Sequence, residues 1–501
     1  MTEAFNSTAA PALRITPGWP STPVLLADGG DARVALDAAT GRNAYGCAPT
    51  PETLAADVGS CTASTISPRG FAAAQALNAR LAGAAIAPAA AYARELERIR
   101  RRLLDLCGLG GQGVEVIFAA SGTDLHLIAA ALAGGSPDRP LVAIGVEPSE
   151  TGSGVPAALA GKHYSTRTAL AETVIPGDPA GAAGQYVAIA ARDADGKVRD
   201  AADVEAELDA IVLAAQSGGR RALLTLADVS KTGLIAPGPG VALALARRFP
   251  RTLDVMVDAC QFRLAPESLS AYLRAGFMVA MTGSKFLTGP TFAGALLAPA
   301  SVAERLRSRI LPPGLRAYSA RADWPAGWVG RAGLPDVANL GLLLRWEAAL
   351  AELAAFRALP QAELEGFMRA FARVIRQRLA DDPAFAPLAT RRLDRSAIGA
   401  FTGWDRSQSI FGFLVRRPEG RWLAPAETAA VHRSLLEEGG IRLGQPVGAG
   451  RKDGVPVSAL RICNSARLAV QAVGPGGDPA AVMAAALASL DRVARAARAL
   501  A

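Results

Sequence analysis

The sequence is short of reactive side chains, and each shortage narrows what the protein can do. Of 501 residues, five are cysteine and three are histidine. Cys47, Cys61, Cys107, Cys260 and Cys463 form no CxxC pair or tight cluster, and His126, His163 and His432 complete no zinc-ligand spacing. An odd number of widely spaced thiols predicts reduced cysteines in a cytoplasmic protein, not a disulfide scaffold. Aromatic residues make up 5% and the arginines are scattered, so the net charge of +8 predicts a solvated, arginine-rich surface and no nucleic-acid partner. No run of ~20 apolar residues is free of charge, Gly and Pro, so no membrane span is expected. The opening MTEAFNSTAAPALRITPGWP has neither the basic start nor the apolar run of a signal peptide. Lysine is the most telling scarcity. The 53 Lys and Arg residues include only Lys162, Lys197, Lys231, Lys285 and Lys452, so chemistry that needs an amine has few candidates.

What the chain does have is the composition of a folded protein, with 50% hydrophobic and 20% charged residues. Its length allows a large core and roughly two to four domains. Residues 1 to about 70 are rich in Gly, Pro, Ser and Thr and read as an ordered arm or long loop. The first clear amphipathic helix covers about 89–106. Beyond it, helical stretches alternate with strands predicted at Val114–Ala120, Leu141–Glu147, Tyr186–Ala191, Ala222–Asp228, Asp254–Asp258, Phe277–Met281 and Ala293–Leu297. Several are continuous apolar runs, as a sheet covered on both faces requires. The fold class is therefore α/β: a three-layer α/β/α domain around a mostly parallel sheet. After about 340 come two long helices (about 338–356 and 361–380) and shorter strands at Ser409–Val415, Ile441–Leu443 and Ala459–Cys463. Asp478 and Pro479 suit the cap and first turn of a last helix. The predicted division is an N-terminal arm over 1–75, a large domain over 76–339 and a smaller α+β domain over 340–501.

Three short segments carry the chemistry. In Phe118-Ala119-Ala120-Ser121-Gly122-Thr123-Asp124 a strand ends and a helix begins, which offers free N–H groups and a hydroxyl to an anion such as phosphate. An ordinary helix cap would look the same. In Val255-Met256-Val257-Asp258-Ala259-Cys260-Gln261 an acid closes an apolar strand, at the end where open α/β sheets bind ligands. A carboxylate there favours a cationic partner. In Met281-Thr282-Gly283-Ser284-Lys285-Phe286 a lysine follows an apolar strand among hydroxyls and glycines. Lys162, Lys197 and Lys452 lie in polar or turn-like contexts; Lys231, in Asp228-Val229-Ser230-Lys231-Thr232-Gly233, is the one rival. Phosphate donors, an acid for a pyridinium nitrogen and a Schiff-base lysine are the parts a pyridoxal phosphate site needs.

The order SGT, DxxQ, TGSK resembles the fold-type-I pyridoxal-phosphate enzymes, in particular the class V aminotransferase and cysteine desulfurase group. The resemblance is firm over about 115–300, traceable to about 470 and poor before 70. It implies pyridoxal 5'-phosphate as cofactor, an amino acid as substrate and a homodimer. Lys285 would hold the cofactor aldehyde and move a proton at Cα. Asp258 would pair with the pyridine nitrogen and Gln261 with the phenolic oxygen. Gly122 and Thr123 would cradle the phosphate with help from Thr282 and Ser284, and Ser230 would line the pocket. Arg461, in Leu460-Arg461-Ile462-Cys463-Asn464, would bind the substrate carboxylate.

Three departures from that group are visible. Where relatives place a ring over the pyridine, Val146-Glu147-Pro148-Ser149-Glu150-Thr151-Gly152-Ser153-Gly154 has none, and Glu150 falls near the stacking position. Where desulfurases carry a nucleophilic cysteine stands Val447, with Gln445 near the family's histidine, which disfavours sulfur transfer. Leu334 replaces the hydroxyl of a Gly-Thr-Pro segment through which the partner subunit helps hold the phosphate. An aminotransferase is the favoured reading, with a carbon–sulfur or carbon–carbon lyase as the alternative and decarboxylase, racemase or ring-forming activity behind it. A non-catalytic binding module and an unrelated nucleotide-binding enzyme are further alternatives. Ser121–Asp124 sits in no GxxxxGK[ST] or GxGxxG frame, which counts against the latter.

Overall fold

The computed structural model describes residues 18–500. The first seventeen residues, which hold the start of the predicted arm and most of the segment inspected for a signal peptide, lie outside the described residues, as does Ala501. In chain order the strands are β1 (Ala56–Val58), β2 (Glu115–Ala119), β3 (Leu141–Val146), β4 (Gly184–Ile189), β5 (Ala222–Asp228), β6 (Ile235–Ala236) and β7 (Leu253–Ala259). They continue with β8 (Met278–Thr282), β9 (Gly294–Ala298), β10 (Phe385–Pro387), β11 (Ile410–Val415), β12 (Ile441–Lys452) and β13 (Val455–Cys463).

The central sheet has the order β2-β9-β8-β7-β5-β3-β4, with β6 folded back on β5. Strands β4, β3, β5, β7 and β8 are parallel, while β9 runs against both β8 and β2. Hence β2 points the same way as β8, and β2, β3, β5, β7 and β8 all end at one edge. Strands β3, β5 and β8 are buried at every residue, which is why their sequences are mostly apolar. The second sheet has the order β1-β12-β13-β11-β10, and β1 alone comes from the N-terminal part of the chain.

Two elements differ from the sequence-based expectation. The helix Pro68–Ala82 begins inside the stretch read as an arm. Ser67 Oγ accepts from Gly70 N at 2.8 Å and Pro68 fills the first position, a start signal masked by the surrounding small residues. Strand β12 runs nine residues past the predicted Leu443, to Lys452. Its glycines break the alternation that marks a strand, and its ladder with β13 shifts register twice. Asp453 and Gly454, both at positive φ, close that hairpin.

The helix Leu340–Arg357 packs against Pro68–Ala82 and Pro88–Leu106 and is buried on nearly all sides. From it Arg345 donates to the carbonyls of Phe292, Leu26 and Gly29 at 2.6, 3.1 and 2.7 Å, pinning the N-terminal segment to the domain. Arginine is therefore more than the predicted solvated surface. Arg263, Arg345, Arg395, Arg442 and Arg461 are all buried, and Arg395 grips Asp228 at the end of β5 through Nε and Nη2 at 2.7 and 2.5 Å. All five cysteines are free and buried. Among the described residues, no helix is long and apolar enough to cross a membrane.

Candidate active site

A cleft of about 180 Å³ opens at the edge where the parallel strands end. Its lining brings together Gly122, Thr123, Glu150, Ser230, Asp258, Gln261, Thr282, Ser284 and Lys285. Arg461 does not line it.

At one end lies the start of the helix Gly122–Ala133, directly after β2. Ser121 Oγ accepts from Asp124 N at 3.2 Å, and Asp124 Oδ2 accepts from Ser121 N and Oγ at 2.7 and 2.6 Å. This box holds the first turn rigid, while the N–H groups of Gly122 and Thr123 precede any carbonyl that could take them. Burial pushes the Asp124 carboxyl up to about 6, although Ser121 and Tyr164 oppose the shift. Gly122 is required by packing: a Cβ there would stand 2.9 Å from Cys260 Sγ. Thr282 donates to the Cys260 carbonyl at 2.7 Å, which ties the end of β8 to the turn after β7. The Ser284 hydroxyl is buried and has no hydrogen-bond partner among the described residues.

Asp258, on β7, points into the middle of the cleft. Cys260 N donates to its Oδ1 at 3.1 Å, and His126 Nε2 stands 3.3 Å from its Oδ2. His126 is one turn along from Gly122, whose carbonyl lies 2.7 Å from Nδ1. A nitrogen facing a carbonyl carries a proton, so Nε2 can bond the acid only in the doubly protonated, cationic ring. Burial alone would raise the Asp258 carboxyl, but the charges of His126 and Lys285 and the Cys260 N–H outweigh it and hold it well below the usual range. Sequence reasoning missed His126, though its i+4 position after the candidate phosphate turn was the available signal.

Lys285 sits in the turn after β8. Gly283 and Gly289 bracket the turn because a Cβ at either would meet the Cβ of Ala349, at 2.4 and 3.0 Å. The buried helix Leu340–Arg357 thus presses this turn against the sheet edge. The Lys285 amine has no hydrogen bond or ion pair among the described residues. Gln261 beside it is buried, with Oε1 lacking any partner.

The opposite wall is held by Glu150. Its carboxylate accepts from Ser230 Oγ (2.6 Å), Thr232 Oγ1 (2.7 Å), Thr232 N (3.2 Å) and Arg192 Nε (3.2 Å). Every acceptor position is in use, so Glu150 reads as a clip between the loops after β3 and β5 more than as a group stacked over a ring. Glu150→Ala is expected to strand the half-buried Arg192 and both hydroxyls, lowering stability by about 3 kcal/mol in denaturant titration. A change below about 0.5 kcal/mol would show that the clip does not matter. Lys231 also lines the cleft; burial, with Arg461 and Lys285 nearby, pulls its amine down to about 8. Arg461 stands behind this wall. Its Nε and Nη2 donate to the Gln445 carbonyl at 2.9 and 2.7 Å, and its Nη1 donates to the Lys231 carbonyl at 3.3 Å. It orients two lining residues from behind.

Sequence reasoning also missed what the N-terminal segment contributes. Arg33, Tyr45 and Thr62 line the cleft, and Phe292 closes beside Tyr45, with ring centroids 5.8 Å apart. No local pattern marks these positions, because long-range packing alone brings them in.

No family model matches the sequence, and no curated protein sequence does. Solved structures do share its fold. The cysteine desulfurase CsdA from Escherichia coli is 16% identical, with a TM-score of 0.52 over 88% of this chain and 94% of that one. A cystine C–S lyase is also 16% identical, with a TM-score of 0.52 over 84% and 94%. Ureidoglycine–glyoxylate aminotransferase from Bacillus subtilis is 12% identical, with a TM-score of 0.50 over 89% and 98%. The chain shares its fold with these enzymes, which are fold-type-I pyridoxal-phosphate enzymes.

Proposed function

We propose that this chain is a pyridoxal-phosphate-dependent enzyme acting on an amino acid, most consistent with an aminotransferase. One observation carries the reading: the ends of two adjacent strands offer one cleft an unpartnered lysine amine and a carboxylate kept charged by a histidine. The residues present fit the cofactor. Gln261 Oε1 and the Lys285 amine lack partners, and the first turn of the helix Gly122–Ala133 has N–H groups to offer an anion.

The bound cofactor supplies an electron sink for breaking a bond at the substrate Cα. Lys285 would hold the cofactor aldehyde through Nζ and would move the proton at the substrate Cα. Asp258 would hold the proton on the pyridine nitrogen, with His126 Nε2 3.3 Å from that carboxylate. Gly122, Thr123 and Ser284 would bind the phosphate, and Gln261 would bond the phenolic oxygen. Ser230 and Glu150 hold the far wall. Arg461 fixes the carbonyls of Lys231 and Gln445 from behind the wall and does not itself reach the cleft. Sulfur transfer is disfavoured because Val447 is buried in an apolar cluster, and burial pushes the one cleft thiol, Cys260, far above the range of a nucleophile. The chain is also proposed to work as a homodimer in the cytoplasm.

The test is to load the protein with pyridoxal phosphate, reduce it with borohydride and map the adduct. Modification of Lys285 is expected, and modification of Lys231 in its place would overturn the assignment. Single-turnover screening of amino acids without an acceptor then distinguishes the reactions. One equivalent of keto acid per site supports transamination, and repeated turnover with a cleaved product supports a lyase.

A further inference from the structure

Arg33 is the one arginine among the described residues lining the cleft, and it comes from the N-terminal segment. Asp31, itself buried, grips one edge of the guanidinium through Nε at 2.9 Å and Nη2 at 2.6 Å. This bidentate grip fixes the plane and turns the opposite edge, Nη1 and Nη2, toward the start of the helix Gly122–Ala133. There Nη2 reaches Thr123 Oγ1 at 3.3 Å and Nη1 reaches Tyr45 OH at 3.4 Å. Both contacts lie at the long end of the hydrogen-bond range, so that edge is poised but loosely used. The Phe292 ring lies 4.7 Å from the guanidinium carbon and supports it from the side. The other cations of the cleft are elsewhere in its chemistry. Lys285 carries the aldehyde, His126 faces Asp258, and Lys231 donates to the Pro148 carbonyl at 3.2 Å on the opposite wall.

We propose that Arg33 is a cofactor-binding residue: the N-terminal segment of the same chain delivers a fixed guanidinium to the phosphate at the Gly122–Thr123 turn. The inference rests on the pyridoxal-phosphate reading above. It explains why a buried Asp31 holds a half-buried Arg33 two residues on, since an arginine held only by a buried acid would have no reason to open its free edge to a cleft. It also assigns the dianion a cation within the chain, where the Leu334 segment offers none: Leu334 is buried in an apolar cluster of its own domain.

The test compares two ligands that differ only in the phosphate. The full-length protein, freed of cofactor, is titrated with pyridoxal phosphate and with pyridoxal, following the visible absorbance band. Wild type is expected to bind pyridoxal phosphate far more tightly. Arg33→Gln is expected to weaken pyridoxal phosphate about tenfold or more and leave pyridoxal unchanged, the loss of one charge-assisted pair. An equal loss for both ligands, or a loss for neither, overturns the inference. Should Arg33→Gln fail to fold, Arg33→Lys keeps the charge without the fork. A several-fold loss confined to pyridoxal phosphate is then expected, and an unchanged ratio of the two affinities overturns the inference. A wild-type protein that gives no band with either ligand refutes the underlying reading instead, so the two failures are distinguishable.

Discussion

Lys285→Ala is expected to lower turnover of any amino acid substrate by at least ~10⁴-fold, the effect of losing a positioned acid–base group together with the covalent link to the cofactor. The visible absorbance of the loaded protein should shift, and borohydride should no longer fix the cofactor to the chain. The fold should survive. The amine makes no hydrogen bond or ion pair that the alanine would leave unsatisfied, and the turn is set by Gly283 and Gly289 against Ala349. Normal kcat in this variant would remove Lys285 from the chemistry and leave Lys231 as the amine to examine.

The second large effect belongs to Asp258. Asp258→Asn keeps the shape but removes the charge that holds a proton on the pyridine nitrogen, and kcat should fall by about 10²–10³-fold. His126 would then face a neutral amide across the 3.3 Å gap, so the substitution also disturbs a buried partner. A drop of less than about threefold would argue against the pairing. The same acid has a consequence for stability. Its folded-state carboxyl titrates below the unfolded one, so its contribution is complete at neutral pH and is lost as the pH falls below about 4. Asp258→Asn should flatten that acid limb in unfolding curves measured between pH 5 and 2.

The sequence made the centre of this site legible for a physical reason. Strand-end acids, glycine-bracketed lysines and capped helix starts are local devices, and each of Ser121–Asp124, Asp258 and Ser284–Lys285 is a local device at the end of a continuous apolar run. The seven strands predicted before residue 300 correspond to β2, β3, β4, β5, β7, β8 and β9, with no end displaced by more than two residues. What stayed hidden depends on distance in the chain. Arg33, Tyr45 and Thr62 reach the cleft because Arg345 anchors Leu26–Gly29 and because β1 joins β12, and neither contact leaves a trace in the residues around them. Arg461, expected from the resemblance to bind the substrate carboxylate, instead stands behind the wall, because its guanidinium is taken by the carbonyls of Gln445 and Lys231. Glu150, read near the ring-stacking position, is instead tied up in bonds to Ser230, Thr232 and Arg192, which required three loops to be seen at once.

The burial of every cysteine has a practical consequence. Cys47 and Cys61 lie together beneath the N-terminal segment, Cys107 follows the helix Pro88–Leu106, Cys260 is at the cleft and Cys463 closes β13. Burial holds Cys47, Cys107 and Cys463 as neutral thiols, so alkylating reagents should react with them only when their surroundings part. The chain therefore carries its own set of unfolding reporters, spread over every layer of the molecule. Timed alkylation read by peptide mass would rank which layer loosens first.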